Sequence, residues 1–441
     1  MARIDNPGAH RIVVVGGGAG GLELATRLGN KLGKKGRAVV TLVDSTWTHM
    51  WKPLLHEVAA GTLDVHEDEL EYLAQAHTHG FRFRLGRMCG LDREAREIAI
   101  SATLDEDGAQ VVPERRVPYD TLVLAVGSVS NDFGVTGVAE HCMFLDNTEQ
   151  AEKFQRRLLS TFLRAHVHGG PQETSQLHVA IVGGGATGVE LAAQLYAVTR
   201  ALSAYGLDDV VPERDIRISL IEASPRILPA LPERLSEATT EQLDRLGVKV
   251  LTGEQVVSVD EQGIKTGSGT FIAAGIRVWA AGIRAPSFLR DIAGLETNRI
   301  NQLVVNETLQ TTRDPNIFAI GDCAACHWKG HEGNVPPRAQ AAHQQASCAA
   351  RSIIEMLEGG KPKTFKYNDY GSLVSLGKYS TVGSIMGNLL GKVNVEGAIA
   401  RLFYLSLYKM HQAALFGLPR VVFLTIANLF RRAVHPQIKL H

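Results

Sequence analysis

Short apolar runs recur along this chain, and glycine follows the two clearest of them. Ile12-Val13-Val14-Val15 runs into Gly16-Gly17-Gly18-Ala19-Gly20-Gly21, and Val179-Ala180-Ile181-Val182 runs into Gly183-Gly184-Gly185-Ala186-Thr187-Gly188. Such runs read as strands buried on both faces. Helical periodicity follows each cluster, over 20–31 and over 188–205. A second strand then closes each unit, 39–43 ending at Asp44 and 216–221 ending at Glu222. Late in each unit a polar-to-apolar strand finishes on small residues, Ala125-Val126-Gly127 in one and Ala280-Ala281-Gly282 in the other. A further apolar strand, 316–320, enters Gly321-Asp322, and a helix is expected over 338–357. Beyond Lys363 short strands alternate with glycines, and a last helical pattern runs over 420–434.

Each glycine cluster fits G-x-G-x-x-G. The first glycine makes the turn, the second lets backbone approach a pyrophosphate, and the third lets helix pack on strand. A glycine-rich turn without a ligand is the plainer reading. It is disfavoured because strand, helix and terminal acid stand in register in both copies. Asp44 and Glu222 are placed to bond a ribose hydroxyl. Glu222 sits late after its glycines, and the intervening loop 206–215 accounts for the delay. Two such units suggest an internal duplication that holds two dinucleotides, and two dinucleotides suggest electron transfer between them. A carboxylate at Glu222 favours a free 2′-hydroxyl over a 2′-phosphate, hence NADH over NADPH. Arg226, close by, weakens that preference.

Composition narrows the class. The chain has 441 residues, 45% of them hydrophobic, and zero formal charge, so no overall field favours nucleic acid. The charge is unevenly spread. From Gly397 to His441 there are Arg401, Lys409, Arg420, Arg431, Arg432 and Lys439 and no acid, so this tail carries +6 and the remainder −6. Five cysteines do not suggest a disulfide framework, and a reducing compartment is expected. The N-terminus lacks the apolar core of a signal peptide, and no apolar stretch reaches spanning length. Cys323-Ala324-Ala325-Cys326-His327 spells a haem-attachment pattern, but it abuts Asp322. A zinc site would need more ligands, and no metal is expected. A redox dithiol at a helix start is harder to set aside; small residues packed at that start is the reading preferred.

These residues together resemble the two-dinucleotide-binding-domain flavoproteins, and among them the type II, non-proton-pumping NADH:quinone oxidoreductases of bacterial membranes. The narrower signals are Trp51-Lys52-Pro53-Leu54-Leu55-His56-Glu57-Val58, the stretch from Pro336 to Gln344, and the basic apolar C-terminus. The resemblance implies an α/β chain of two Rossmann-like domains. The FAD domain is discontinuous, over 8–145 and 291–365, the NADH domain is inserted over 146–290, and a membrane-associating region follows over 366–441. It implies non-covalent FAD at Gly16, Gly18, Gly20, Gly21, Asp44, Lys52, Ala125, Gly127 and Asp322. NADH as substrate would meet Gly183, Gly185, Gly188, Glu190, Glu222, Ala281 and Gly282, with Glu190 near the nicotinamide. Asp322, on a strand-to-helix turn, would bond the ribityl chain.

Gln340 and His343 lie on one face of the expected helix. By resemblance they, with Ala339, line a quinone pocket, His343 assisting protonation. A half-buried structural histidine is the plainer reading. On a helical wheel Val422, Phe423, Ile426, Leu429 and Phe430 oppose Arg420, Thr425, Asn428, Arg431 and Arg432, while Val421 and Leu424 spoil the polar side. The alternative to a helix lying in the headgroup region is one packed on the core. Aromatic residues in 402–408 add interfacial character. The expected enzyme is therefore peripheral on the cytoplasmic face of the bacterial inner membrane, reduces a membrane quinone, and forms a homodimer by resemblance. Two other classes stay open: a soluble reductase of a small iron–sulfur protein, and a sulfide:quinone oxidoreductase with redox cysteines.

Overall fold

The apolar runs become central strands of two sheets, one wholly parallel and the other parallel around its central strand. The structure, a computed structural model, describes residues 8–105, 107–375, 381–387, 391–396 and 408–434. By its contacts the chain divides into two compact units. The first takes residues up to Trp51, Glu69–Val129 and Ile283–Asp369; the second takes Lys52–Asp68, Ser130–Gly282 and Tyr370 onward.

In the first unit an eight-stranded sheet has His10–Val15 near its middle. That strand pairs in parallel with Thr121–Leu124 on one side and Ala38–Asp44 on the other. Asp314–Ala319 and Arg82–Leu85 extend the parallel core outward. The helix Ala19–Lys31 follows the first glycine cluster and packs against the helix Ala339–Leu357. The second unit repeats the plan in a four-stranded parallel sheet, ordered Val248–Thr252, Arg217–Glu222, His178–Val182, Ile276–Trp279. Its helix Ala186–Ala204 follows the second cluster, and the short helix Leu55–Ala59 packs on it. Three antiparallel strands, Gly371–Ser375, Thr381–Gly387 and Gly391–Glu396, answer to the glycine-punctuated stretch.

Why glycine is needed is visible in what a side chain would strike. Gly16 has φ +97, and a Cβ there would lie 2.4 Å from the Ala125 carbonyl oxygen. A Cβ on Gly21 would lie 1.9 Å from the Gly16 oxygen, and one on Gly188 2.0 Å from the Gly183 oxygen. The third glycine of each cluster thus lets the helix close onto its own turn.

Two expectations are corrected. Asp322 is not followed by a helix. Gly321–Cys323 makes one 3-10 turn and Ala324–Cys326 then joins the sheet, in parallel with Leu303–Val305; the long helix begins at Ala339. The sheet edge claims the backbone that a helix would have used. Cys323 and Cys326 are accordingly not at a helix start. Burial pushes their thiols up, to about 12 and about 11.

The last helix spans Leu418–Val434. Val421, which spoiled the polar side of the wheel, is the buried residue, while Phe423 and Phe430 are 72% and 74% exposed, with Val422 and Ile426 also exposed. This face is therefore not packed on the core. Arg401, the aromatic stretch 402–407 and Lys439 lie outside the described residues, as do the side chains of Asn428, Leu429, Arg431 and Arg432. Among the described residues no helix is long and apolar enough to cross a membrane.

Among the buried histidines are His49, at 5% exposure in the first unit, and His56, at 3% in the second. Burial pushes both down to about 4, against the hydrogen bonds with the Gly17 and Pro53 backbone respectively. Each is neutral when folded and takes a proton when unfolded below its ordinary 6.5. Stability is therefore full above that value and falls as pH drops toward 4, by up to about 3 kcal/mol per histidine. The variant His49→Gln is expected to take up about one proton fewer than the parent on unfolding near pH 5, read from the pH dependence of urea midpoints. An unchanged dependence contradicts the burial argument. A second prediction concerns the turn. Gly188→Ala is expected to cost roughly 1–3 kcal/mol by thermal melting without NADH. Gly185→Ala, whose Cβ meets nothing within 4 Å, leaves the melting temperature nearly unchanged.

Candidate functional site

In both units the acid that ends the second strand closes onto the glycine turn. The Gly17 amide donates to Asp44 Oδ2 at 2.6 Å, and the Gly184 amide donates to Glu222 Oε2 at 2.6 Å. The other carboxylate oxygen is held in each case from two residues on, by Thr46 N at 2.9 Å and by Ser224 N at 2.7 Å. An ionised carboxylate has about four acceptor positions, so lone pairs remain for a ribose hydroxyl after these bonds. Arg226, the doubtful neighbour, donates to the carbonyls of Leu231 at 2.9 Å and Pro229 at 3.0 Å. Its guanidinium is tied into its own loop.

The glycine cradle fits a dinucleotide. A Cβ on Gly18 or Gly185 would meet nothing within 4 Å, so both glycines border open space at a helix N-terminus, where backbone amides favour a pyrophosphate. A Cβ on Gly20 would instead lie 3.1 Å from the Ala342 carbonyl oxygen. The strand ends behave alike: Gly16 lies against Ala125 and Val126, and Gly183 against Ala280 and Ala281. Gly127 and Gly282 have φ +69 and +63, a conformation side chains avoid. At Gly282 the ring of Phe133 occupies the place of a Cβ.

Asp322 has its carboxylate at hand in the first unit. Ser128 Oγ donates to its Oδ2 at 2.7 Å, Gln302 Nε2 donates to its carbonyl at 2.8 Å, and Gln345 Oε1 accepts from the Gly321 amide at 2.6 Å. Lys52 belongs to the second unit, where its ammonium lies 3.7 Å from Asp146 Oδ1.

Ala339 opens the long helix, with Gln340 next to it in the first turn and His343 one turn on. Gln340 Nε2 donates to Asp369 Oδ1 at 3.2 Å, and Arg338 Nη1 lies 3.2 Å from both oxygens of that carboxylate. His343 Nδ1 bonds Glu23 Oε2 on the first glycine helix. In the second unit Glu190 is buried, and its Oε2 lies 3.5 Å from His56 Nδ1.

Several of these partners escaped the sequence reading. Tyr72 donates to the Gly17 oxygen at 2.9 Å and fills the space a Gly17 side chain would need. Nothing local marks it, 55 residues away. Ser128, Gln302, Gln345 and Asp369 likewise have no motif. Glu23 did carry a signal, since a glutamate stands two residues past the last glycine in both clusters.

A family model for pyridine nucleotide-disulphide oxidoreductases matches residues 10–346. The type II NADH:quinone oxidoreductase of Haemophilus influenzae is 46% identical over 98% of this chain and 99% of its own length. That of Mycobacterium tuberculosis is 31% identical over 93% of this chain and 85% of its own. The structure of NDH2 from Plasmodium falciparum in complex with NADH superposes with a TM-score of 0.79 at 20% identity, covering 98% of this chain and all of that one. Fold, doubled acid-closed turns and end-to-end similarity agree: this chain belongs to the type II NADH:quinone oxidoreductases.

Proposed function

We propose a division of the reaction among the residues described. The chain is an FAD-dependent enzyme that oxidises NADH and reduces a quinone without pumping protons. The observation that carries the reading is the doubled turn, each closed by its own carboxylate. We assign FAD to the first unit, at Gly16, Gly18, Gly20, Gly21, Asp44, Ala125, Gly127 and Asp322. We assign NADH to the second, at Gly183, Gly185, Gly188, Glu222, Ala281 and Gly282, with Glu190 accepting from the carboxamide. When bound, FAD would supply a hydride acceptor and a carrier for the electron pair that reduces a quinone.

The residues bind, orient and supply protons. Glu222 bonds the ribose of NADH and repels a 2′-phosphate; Arg226 bonds the carbonyls of its own loop through Nη1 and Nη2. Gln340, its amide anchored by Asp369, orients the quinone, and His343 delivers a proton to it. The alternatives lose their footing here. A sulfide oxidoreductase needs reactive thiols, yet all five cysteines are free and burial pushes each of them up. A soluble iron–sulfur protein reductase has no use for an exposed apolar helix face.

That face supports attachment to lipid. Val422, Phe423, Ile426 and Phe430 are exposed on a helix that also exposes Arg420, in a tail without acids. We place the helix in the headgroup region of the inner membrane, on the cytoplasmic side where NADH is available.

Two measurements test the reading. Under anaerobic conditions NADH bleaches the flavin absorbance and a soluble quinone restores it; bleaching without recovery removes the quinone assignment. Gln340→Ala and His343→Gln are each expected to slow the recovery about tenfold or more while NADH-driven bleaching stays within about twofold. Equal losses in both steps place these residues elsewhere. For the tail, the double variant Phe423→Ser, Phe430→Ser is expected to lose at least about tenfold in vesicle affinity by flotation, since two aromatic burials are removed. Unchanged flotation sinks the membrane role of this helix.

A further inference from the structure

The two glycine helices share a feature that dinucleotide binding does not require. Gly21-Leu22-Glu23 and Gly188-Val189-Glu190 put a glutamate at the same place, and both are buried, at 1% and 6% exposure. A buried carboxylate is costly unless it is partnered. Each one meets a histidine through Oε2 and Nδ1, Glu23 with His343 in the first unit and Glu190 with His56 in the second. The histidines come from unrelated elements, 320 residues downstream in one case and far upstream in the other. The duplicated helix thus offers a buried carboxylate twice, and each unit has recruited an imidazole to it.

We propose that Glu23 is a positioning residue for quinone reduction, holding the Nδ1 side of His343 so that Nε2 is the nitrogen exchanging a proton with the quinone. This rests on the reading of His343 as a quinone-site residue.

The chemistry follows from the partners. A carboxylate only accepts, so the proton between the two groups stays on Nδ1. Burial alone would push the Glu23 carboxyl up; the bonds from His343 and Arg27 outweigh it and hold the carboxyl below its usual range. Arg27 Nε lies 2.7 Å from Oε1, four residues along the same helix, and Ser347 Oγ approaches Oε1 at 3.4 Å. Oε1 is therefore occupied and Oε2 faces the imidazole. In the step itself Nε2 relays a proton from water: its N–H bond breaks as an O–H bond forms on the quinone. The electron pair is the one NADH delivers as hydride; that hydride's hydrogen balances the quinone's second proton, so one proton is taken from water overall. The imidazole left behind keeps its Nδ1–H on Glu23, with Nε2 open to the next proton in the same orientation. This is how a carboxylate outside a substrate pocket acts on the substrate through a histidine.

The test uses the FAD-loaded, full-length enzyme as Glu23→Gln, His343→Gln and the double variant. Glu23→Gln is isosteric but uncharged, and its amide can turn either way. It is expected to slow quinone-dependent recovery of the flavin about tenfold, through kcat more than the KM for quinone, with NADH-driven bleaching unchanged. Placed in the His343→Gln background, it adds nothing, because the two act as one. In histidine-15N-labelled protein the His343 signal, identified by its loss in His343→Gln, shows the Nδ1-protonated ring in the parent and mixed tautomers in Glu23→Gln. Flavin content and melting temperature are read for each variant. Should Glu23→Gln fail to hold FAD, Glu23→Asp carries the test, with a smaller loss that again vanishes in the His343→Gln background. Additive losses, or an unchanged ring signature, overturn the proposal while leaving His343 at the quinone. Intact quinone reduction in His343→Gln overturns both.

Discussion

Everything in this molecule hangs on a steric vacancy at the end of a strand. At Gly16 and Gly183 the chain turns with positive φ, and at Gly21 and Gly188 a helix returns to within about 2 Å of where a side chain would collide with the turn's own carbonyl oxygen. Only that closeness lets the helix N-terminus stand beside the strand end, with its amides open to a phosphate group. The strand on the far side is also set by it, because Ala125 and Ala280 lie directly against the turn. A side chain at the third glycine would move the helix, and with it every group that the helix positions.

The second organising force is the pairing of buried or half-buried carboxylates. Asp44 and Glu222 accept the amide of the middle glycine and so pin the turn to the neighbouring strand. Asp322 and Asp369 are each met by polar side chains from other segments. Glu23 and Glu190 sit deepest, each with a histidine. These charges do little for net stability, since desolvation offsets much of the attraction. Their effect is orientation. Each one fixes the orientation of the amide, hydroxyl or imidazole that meets it.

How much of this was legible follows from distance along the chain. The fingerprints were readable because strand, turn and helix are contiguous and their spacing is imposed by local geometry. Asp44 was readable for the same reason, and Glu222 despite an inserted loop. The exposed apolar side of the last helix was readable in Val422, Phe423, Ile426 and Phe430. The inward turn of Val421 was not, because the wheel shows two sides without saying which one packs. The expected helix after Asp322 is replaced: the three residues after Cys323 join a sheet edge beside Leu303–Val305, a strand whose partner no local pattern announces.

By itself, then, the sequence determined the two glycine turns, their closing acids and the acid-free tail, because each depends on near neighbours and on residue type alone. Only the tertiary structure decided which histidine meets which buried glutamate, that Arg226 is spent on its own loop, and that Tyr72 fills the space beside Gly17. Those choices require segments remote in the chain to be packed together. Burial, which gives a carboxylate its need for a partner, exists only once that packing is complete.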